Sequence, residues 1–145
     1  MQENNQKKRL ICFLHIEKAA GTTVHEILRN NYWDSPYIYN PTDTSQAHHL
    51  NSQELFSIGK KTPFFKAFGG HSIRLWEDYG QSFGQDVFYF TFFRDPIKRY
   101  LSNYFFQKYN MSIERTFEDY LSDSSFHNFM TKKIYRDQSK RKLLI

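Results

Sequence analysis

Two stretches of the chain combine small, hydroxyl-bearing and cationic residues as an anion-binding loop requires: Glu17-Lys18-Ala19-Ala20-Gly21-Thr22-Thr23 and Arg94-Asp95-Pro96-Ile97-Lys98-Arg99-Tyr100-Leu101-Ser102. In the first, Gly21 lets the backbone come close to an anion, Thr22 and Thr23 add hydroxyl donors, and a following helix would contribute its positive end. Lys18 precedes Gly21 by three residues, whereas a triphosphate-binding P-loop places its lysine directly after the second of two glycines. Its ammonium would therefore approach a bound group from the strand side, near a bond that breaks. In the second stretch, Arg94 stands after a hydrophobic run, where magnesium-dependent NTPases carry an aspartate, and an arginine there binds anions without a metal. Ser102 comes eight residues later. That is about two helical turns, so on a helix starting near Pro96 its hydroxyl faces away from Arg94 unless the loop bends back. Each stretch also has a plainer account: a strand-to-helix turn with a surface lysine, and an Arg94–Asp95 ion pair closing a strand beside a solvated Lys98 and Arg99. Two such loops, each after an apolar run, are harder to explain that way than either alone.

Loops of this kind need strands ahead of them and helices behind. Residues 10–16 form a compact apolar run that predicts a strand buried on both faces of a parallel sheet. Val24, Ile27 and Leu28 then recur at helical spacing, with Thr22 or Thr23 available as N-cap. Residues 32–51, with Pro36, Asn40, Pro41 and Asp43, read as a long irregular connection of the sort that carries substrate contacts. A short strand over 62–68 is ended by Gly69-Gly70, and the aromatic run 86–93 is the strongest strand signal in the chain. Pro96 opens a helix carrying Ile97, Leu101, Tyr104, Phe105 and Lys108, and Thr116 caps a short helix through Tyr120 and Leu121. Residues 126–135 read as helical, with Phe129, Met130 and Ile134 inward. Alternating strands and helices predict a three-layer α/β fold with a mainly parallel sheet, and both loops fall beyond the carboxyl ends of its strands.

His71 sits at a strand terminus, where a neutral imidazole can take a proton near neutral pH or simply close the strand through a backbone hydrogen bond. His48-His49 lacks a third ligand at metal spacing and is read as a loop position near an acceptor, so no metal site is expected. His15 is read as a satisfied core residue, while His25 and His127 fall on helices without evident partners.

The length of 145 residues predicts one domain over 1–145, with a polar lead at 1–9 and a basic tail at 136–145. With 15 Phe and 10 Tyr, core and clefts should be built from rings, which excludes disorder despite a mean hydropathy of -0.72. A net charge of +5 favours anionic partners: nucleotides, nucleic acid, acidic glycans or membrane surfaces. Lys132, Lys133, Arg136, Lys140, Arg141 and Lys142 form a basic tail, a solvated terminus or a contact for an acidic polymer, but no nucleic-acid-binding signature accompanies it. The lone Cys12 predicts a buried thiol and a reducing compartment. With no signal peptide or transmembrane segment in evidence, a cytoplasmic protein is expected.

The residues also carry a family resemblance. The run Phe13-Leu14-His15-Ile16-Glu17-Lys18-Ala19-Ala20-Gly21-Thr22-Thr23 resembles the 5′-phosphosulfate-binding loop of carbohydrate sulfotransferases, most of all the heparan sulfate 2-O-sulfotransferase group and its bacterial relatives. The run Phe93-Arg94-Asp95-Pro96-Ile97-Lys98-Arg99-Tyr100-Leu101-Ser102-Asn103-Tyr104 resembles the same family's 3′-phosphate-binding segment. The resemblance implies a P-loop-like sulfotransferase fold, 3′-phosphoadenosine 5′-phosphosulfate as donor, a carbohydrate acceptor and no metal. Lys18, Ala20, Gly21, Thr22 and Thr23 would then hold the phosphosulfate, with Lys18 at the bridging oxygen, and Arg94 with Ser102 would hold the 3′ phosphate. Gly70-His71 resembles the pair that supplies the general base. Asn128-Phe129-Met130-Thr131-Lys132 resembles a later motif near the nucleotide, which assigns Asn128, Thr131 and Lys132 to donor binding. Lys132 replaces the usual arginine there, keeping the charge and losing the fork. Glu17 replaces the commoner proline and would set a carboxylate beside the sulfonate. The matches span residues 13–132, and because family domains usually continue further, a short or truncated member is expected. Three functions compete: an active sulfotransferase, a catalytically inactive nucleotide- or glycan-binding member of the same fold, and a basic nucleic-acid-binding module.

Overall fold

Leu10–Leu14 carries two alternating sets of apolar side chains, and neither faces open solvent. Leu10, Cys12 and Leu14 pack with Leu50, Leu55, Phe65, Phe68 and Tyr79, whereas Phe13 packs with Val24 and Leu28. A strand covered on both faces belongs inside a sheet between two layers. The structure, a computed structural model, describes residues 9–39 and 49–135 and places the strand there.

The elements are β1 (Leu10–Leu14), α1 (Gly21–Asn31), β2 (Tyr37–Tyr39), α2 (Ser52–Lys61), β3 (Ala67–Gly70), β4 (Val87–Phe90), α3 (Pro96–Asn110), α4 (Phe117–Ser122) and α5 (Phe129–Ile134). The four strands form one wholly parallel sheet in the order β2-β3-β1-β4, so the α/β architecture with flanking helices is the one expected. Register matters for the site. Leu14 pairs with Gly70 and Phe13 with Phe90, so the carboxyl ends of β3, β1 and β4 lie side by side and deliver their loops to one edge.

Several local expectations need correction. The connection over 32–51 is less irregular than read, because Tyr37–Tyr39 adds to β3 as an edge strand. The N-cap of α1 is Ala20, in the left-handed region at φ 65, and Thr22 and Thr23 lie within the helix instead of capping it. The aromatic run 86–93 does yield a strand, but one of four residues at the sheet edge, with Phe88, Phe92 and Phe93 exposed. Arg99 is not solvated: it is 3% exposed and its guanidinium lies 4.8 Å from the Phe129 ring centroid. Pro96 does open α3, with the Asp95 carboxylate accepting from Lys98 N–H rather than serving as an ion-pair partner for Arg94. Thr116 caps α4 in a reciprocal capping box with Asp119. The stretch read as one helix over 126–135 is a 3-10 turn followed by α5, and Phe129, Met130 and Ile134 are half-buried while Lys133 is buried. Cys12 is fully buried, and burial pushes its thiol up. The lead before residue 9, His48, and the basic positions from Arg136 onward lie outside the described residues.

Candidate active site

The loop between β1 and α1 is held in a shape that few non-glycine residues adopt. Lys18 and Ala20 both have φ 65, and helical geometry begins at Gly21 immediately after. A left-handed residue followed by a helical one turns successive N–H groups toward the same side, which is the concavity that binds anions. No side chain caps the start of α1 and its first turn carries no acidic residue, so its amides and its positive dipole end are left for a ligand.

Arg94 reaches across from the β4–α3 connection and donates through Nη1 to Lys18 O at 3.3 Å, while Lys18 Nζ lies 4.0 Å from the Phe106 ring centroid. Burial and then the Arg94 charge lower the Lys18 ammonium from its ordinary value. Lys18, Gly21, Thr22, Arg94, Ser102 and His71 line one cavity of about 500 Å³. Ser102 and Arg94 thus face a common space. A cavity of about 570 Å³ at the amino ends of β1 and β4 sets Asp78 and Asp86 against a single Arg9. It pairs two carboxylates with one cation, the wrong balance for an anion, so chemistry and not size identifies the site.

Behind the first loop lies a group of polar side chains from five places in the fold: the end of β1, α1, β2, the end of β3 and α5. Because β1 and β3 run in register, His15 and His71 emerge beside each other, and their rings stack at 3.9 Å between centroids. Glu17 Oε1 lies 3.2 Å from His71 Nδ1, a close approach without ideal hydrogen-bond alignment, and 3.3 Å from Lys133 Nζ. Lys133 also donates to His71 O at 2.9 Å. Burial opposes ionisation of Glu17, but contact with His71 and the charge of Lys133 outweigh it and hold the carboxyl at about 2. Burial lowers Lys133 as well, and Glu17 opposes that shift. On the other side of the loop, His15 Nδ1 and His25 Nε2 are 2.9 Å apart, and His25 Nδ1 lies 2.5 Å from Tyr37 Oη.

Residues 4–144 match a family model described as the sulfotransferase family. The chain belongs to the sulfotransferase family. Comparison with curated proteins and with solved structures returns no match. Family membership implies sulfuryl transfer with a nucleotide donor and an acceptor substrate.

Within this sulfotransferase, the structure gathers only part of the residue set drawn from the sequence. Lys18, Ala20, Gly21, Thr22, Arg94, Ser102 and His71 share the cavity. Thr23 is exposed in the first turn of α1 and is not among the lining residues. Asn128, Thr131 and Lys132 are also exposed and outside the lining, and Lys132 donates to Ser124 O instead. Lys133, taken as part of a basic tail, is the residue of α5 that reaches Glu17 and His71. Its place four residues after Phe129 and three after Met130, on one helical face, was the available signal. His15 and His25, read as a core histidine and an unpartnered one, are hydrogen-bonded to each other, and no spacing rule links positions on a strand and a helix. His127 Nε2 meets Leu121 O at 2.8 Å, away from the cavity. His49 lies 3.8 Å from Glu77, and among the described residues no cluster of three or more His, Cys, Asp or Glu is placed to hold a metal. Among these residues no helix is long and apolar enough to cross a membrane.

Proposed function

We propose that this sulfotransferase moves a sulfuryl group from 3′-phosphoadenosine 5′-phosphosulfate to a hydroxyl of a carbohydrate, as the resemblance to the heparan sulfate 2-O-sulfotransferase group implies. The observation that carries the reading is the convergence of Lys18, Arg94, Ser102 and His71 on one cavity with the uncapped start of α1. Two cations, a hydroxyl and free amides form an anion-binding set of suitable size, since small-molecule sites commonly span about 300–1,000 Å³. The nearest carboxylate, Glu17, is already matched by Lys133 and faces His71, so it does not oppose an anionic donor.

In this reading the α1 amides and Thr22 hold the 5′ phosphate, and Arg94 with Ser102 holds the 3′ phosphate. His71 accepts the proton of the acceptor hydroxyl as its oxygen bonds to sulfur. The bond from sulfur to the bridging phosphate oxygen breaks, its electron pair stays on the departing phosphate, and Lys18 stabilises that charge. Glu17, tied to His71 Nδ1, fixes the imidazole so that Nε2 is the basic nitrogen, and Lys133 keeps Glu17 ionised and anchored to the His71 backbone.

Calorimetric titration with 3′-phosphoadenosine 5′-phosphate, followed by labelled sulfate transfer across a glycan panel, tests the reading. Binding, transfer and loss of transfer in a folded Lys18→Ala variant are expected. Absence of binding at low salt by folded protein would sink the donor assignment, and binding without transfer to any hydroxyl acceptor would sink the catalytic one.

A further inference from the structure

We infer that His15 is a further donor-binding residue: a neutral imidazole whose Nε2–H is aimed at the anion held by the first loop, with its tautomer dictated by a hydrogen-bond chain from Tyr37 through His25. The inference rests on the donor site proposed above. Tyr37 Oη has His25 Nδ1 at 2.5 Å and, among the described residues, no other hydrogen-bond partner. A phenol O–H is a stronger acid than a neutral imidazole N–H, and an imidazole nitrogen is a better acceptor than a phenol oxygen, so in this short contact Tyr37 donates. Burial pushes its phenol up, which keeps that proton in place.

If Tyr37 donates to Nδ1, a neutral His25 must carry its proton on Nε2. That proton points along the 2.9 Å contact to His15 Nδ1. His15 Nδ1 is then the acceptor, and its own proton must sit on Nε2. The neutrality the chain requires is consistent with the surroundings. Burial, then His71 and His25, push His15 down to about 3, and burial, then His71 and Arg29, push His25 down to about 4.

The position of Nε2 gives the chain its purpose. His15 lines the same cavity as Lys18, Gly21, Thr22 and Arg94. A Cβ at Gly21 would overlap the His15 ring at Nε2, so this nitrogen sits against the opening residue of α1, where the uncapped amides begin. Gly21 is therefore required twice, for close approach of an anion and for seating His15. A neutral N–H is well suited to this place, because it adds a hydrogen bond to an anionic oxygen without placing a further charge next to Lys18 and Arg94.

Long-range proton–nitrogen spectra of histidine-labelled protein near neutral pH, combined with calorimetry using 3′-phosphoadenosine 5′-phosphate, test the inference. Both His15 and His25 should be neutral Nε2–H tautomers. His15→Phe should weaken binding by about tenfold to a hundredfold, as expected for loss of a hydrogen bond to a charged group, and His15→Gln, whose amide can stand in for Nε2–H, should recover most of it. Tyr37→Phe, a milder change should His15→Phe fail to fold, should give mixed tautomer signals and severalfold weaker binding. Unprotonated Nε2 on His15, or unchanged binding in these variants while Lys18→Ala weakens it, overturns the inference and leaves the donor site standing. Failure of the wild type to bind overturns both.

Discussion

Acidification from near neutral to about pH 4 should destabilise this protein through His15 and His25, the two histidines the fold keeps neutral. Their ordinary value is 6.5, and in the fold they fall to about 3 and about 4. Below 6.5 the unfolded chain takes up protons that the folded chain refuses, so stability is unaffected above that value and falls as pH drops toward the folded values. By pH 4 each ring alone would account for about 3 kcal/mol. The two share one hydrogen bond and repel once charged, so the loss belongs to the pair and lies at about 3–6 kcal/mol, a large part of the roughly 5–15 kcal/mol that holds a domain together. Glu17 acts in the same direction but later: its carboxyl sits at about 2 against an ordinary 4.5, so its contribution is present above 4.5 and is lost as pH falls toward 2. The assay is urea unfolding followed by far-UV circular dichroism at several pH values, on wild type and on the His15→Gln, His25→Gln double variant. Wild type should lose about 1–3 kcal/mol per pH unit across the histidine window, and the double variant, whatever its absolute stability, should show a much flatter slope. Equal slopes, or a wild type that gains stability on acidification, would refute the claim that the fold holds these rings neutral.

Four further outcomes follow from the same contacts. Glu17→Gln should lower kcat about tenfold to a hundredfold while leaving nucleotide affinity within a few fold, because the Glu17 carboxylate, although it opens the first loop, meets His71 and Lys133, so that its loss loosens the base more than the anion contacts; an equal loss in nucleotide affinity would argue against that division. Lys133→Met should lower stability by about 3–5 kcal/mol, read from chemical denaturation, because it leaves the Glu17 carboxylate buried without its cation; a change within about 0.5 kcal/mol would mean the pair contributes nothing. Gly21→Ala should cost about 1–3 kcal/mol through overlap with the His15 ring, with a lowered Tm as the readout. Thr91→Val removes the 2.7 Å hydrogen bond from Thr91 Oγ1 to Leu14 O, which should cost about 1 kcal/mol and also weaken 3′-phosphoadenosine 5′-phosphate binding.

What the sequence made legible was local. The strand-loop-helix units ending in Gly21 and Arg94, the opening of α3 at Pro96 and the cap at Thr116 each depend on residues a few positions apart, where hydrophobic period and capping rules apply. α2 also carries such a signal, since Asn51 and Glu54 stand three residues apart and form a reciprocal capping box. β2 is only three residues long, next to Pro36, so its strand character comes from pairing with β3 more than from its own composition. The run 86–93 does signal a strand, but aromatic content reports strand propensity and not whether the strand is central or at an edge. The Glu17–His71–Lys133 and His15–His25–Tyr37 contacts join residues up to 116 positions apart (17 to 133). Only the sheet order and register bring them together.

The strained loop shows why the two anion-binding stretches are one device. Left-handed geometry at a non-glycine residue costs about 1–2 kcal/mol, and the loop carries two such residues, Lys18 and Ala20. Such a shape persists only where neighbours over-determine it. The neighbours here come from the second stretch and the residues on either side of it: Arg94 donates to Lys18 O, Phe106 of α3 lies under the Lys18 ammonium, and Thr91 donates to the carbonyl of Leu14 at the end of β1. Arg94 therefore has two tasks, one toward a ligand and one toward the loop that holds the ligand's other end. A substitution at Arg94 cannot be read as loss of one phosphate contact. The Thr91 tie touches no ligand-facing atom, and for that reason its removal isolates the part of the affinity that comes from holding the first loop in shape.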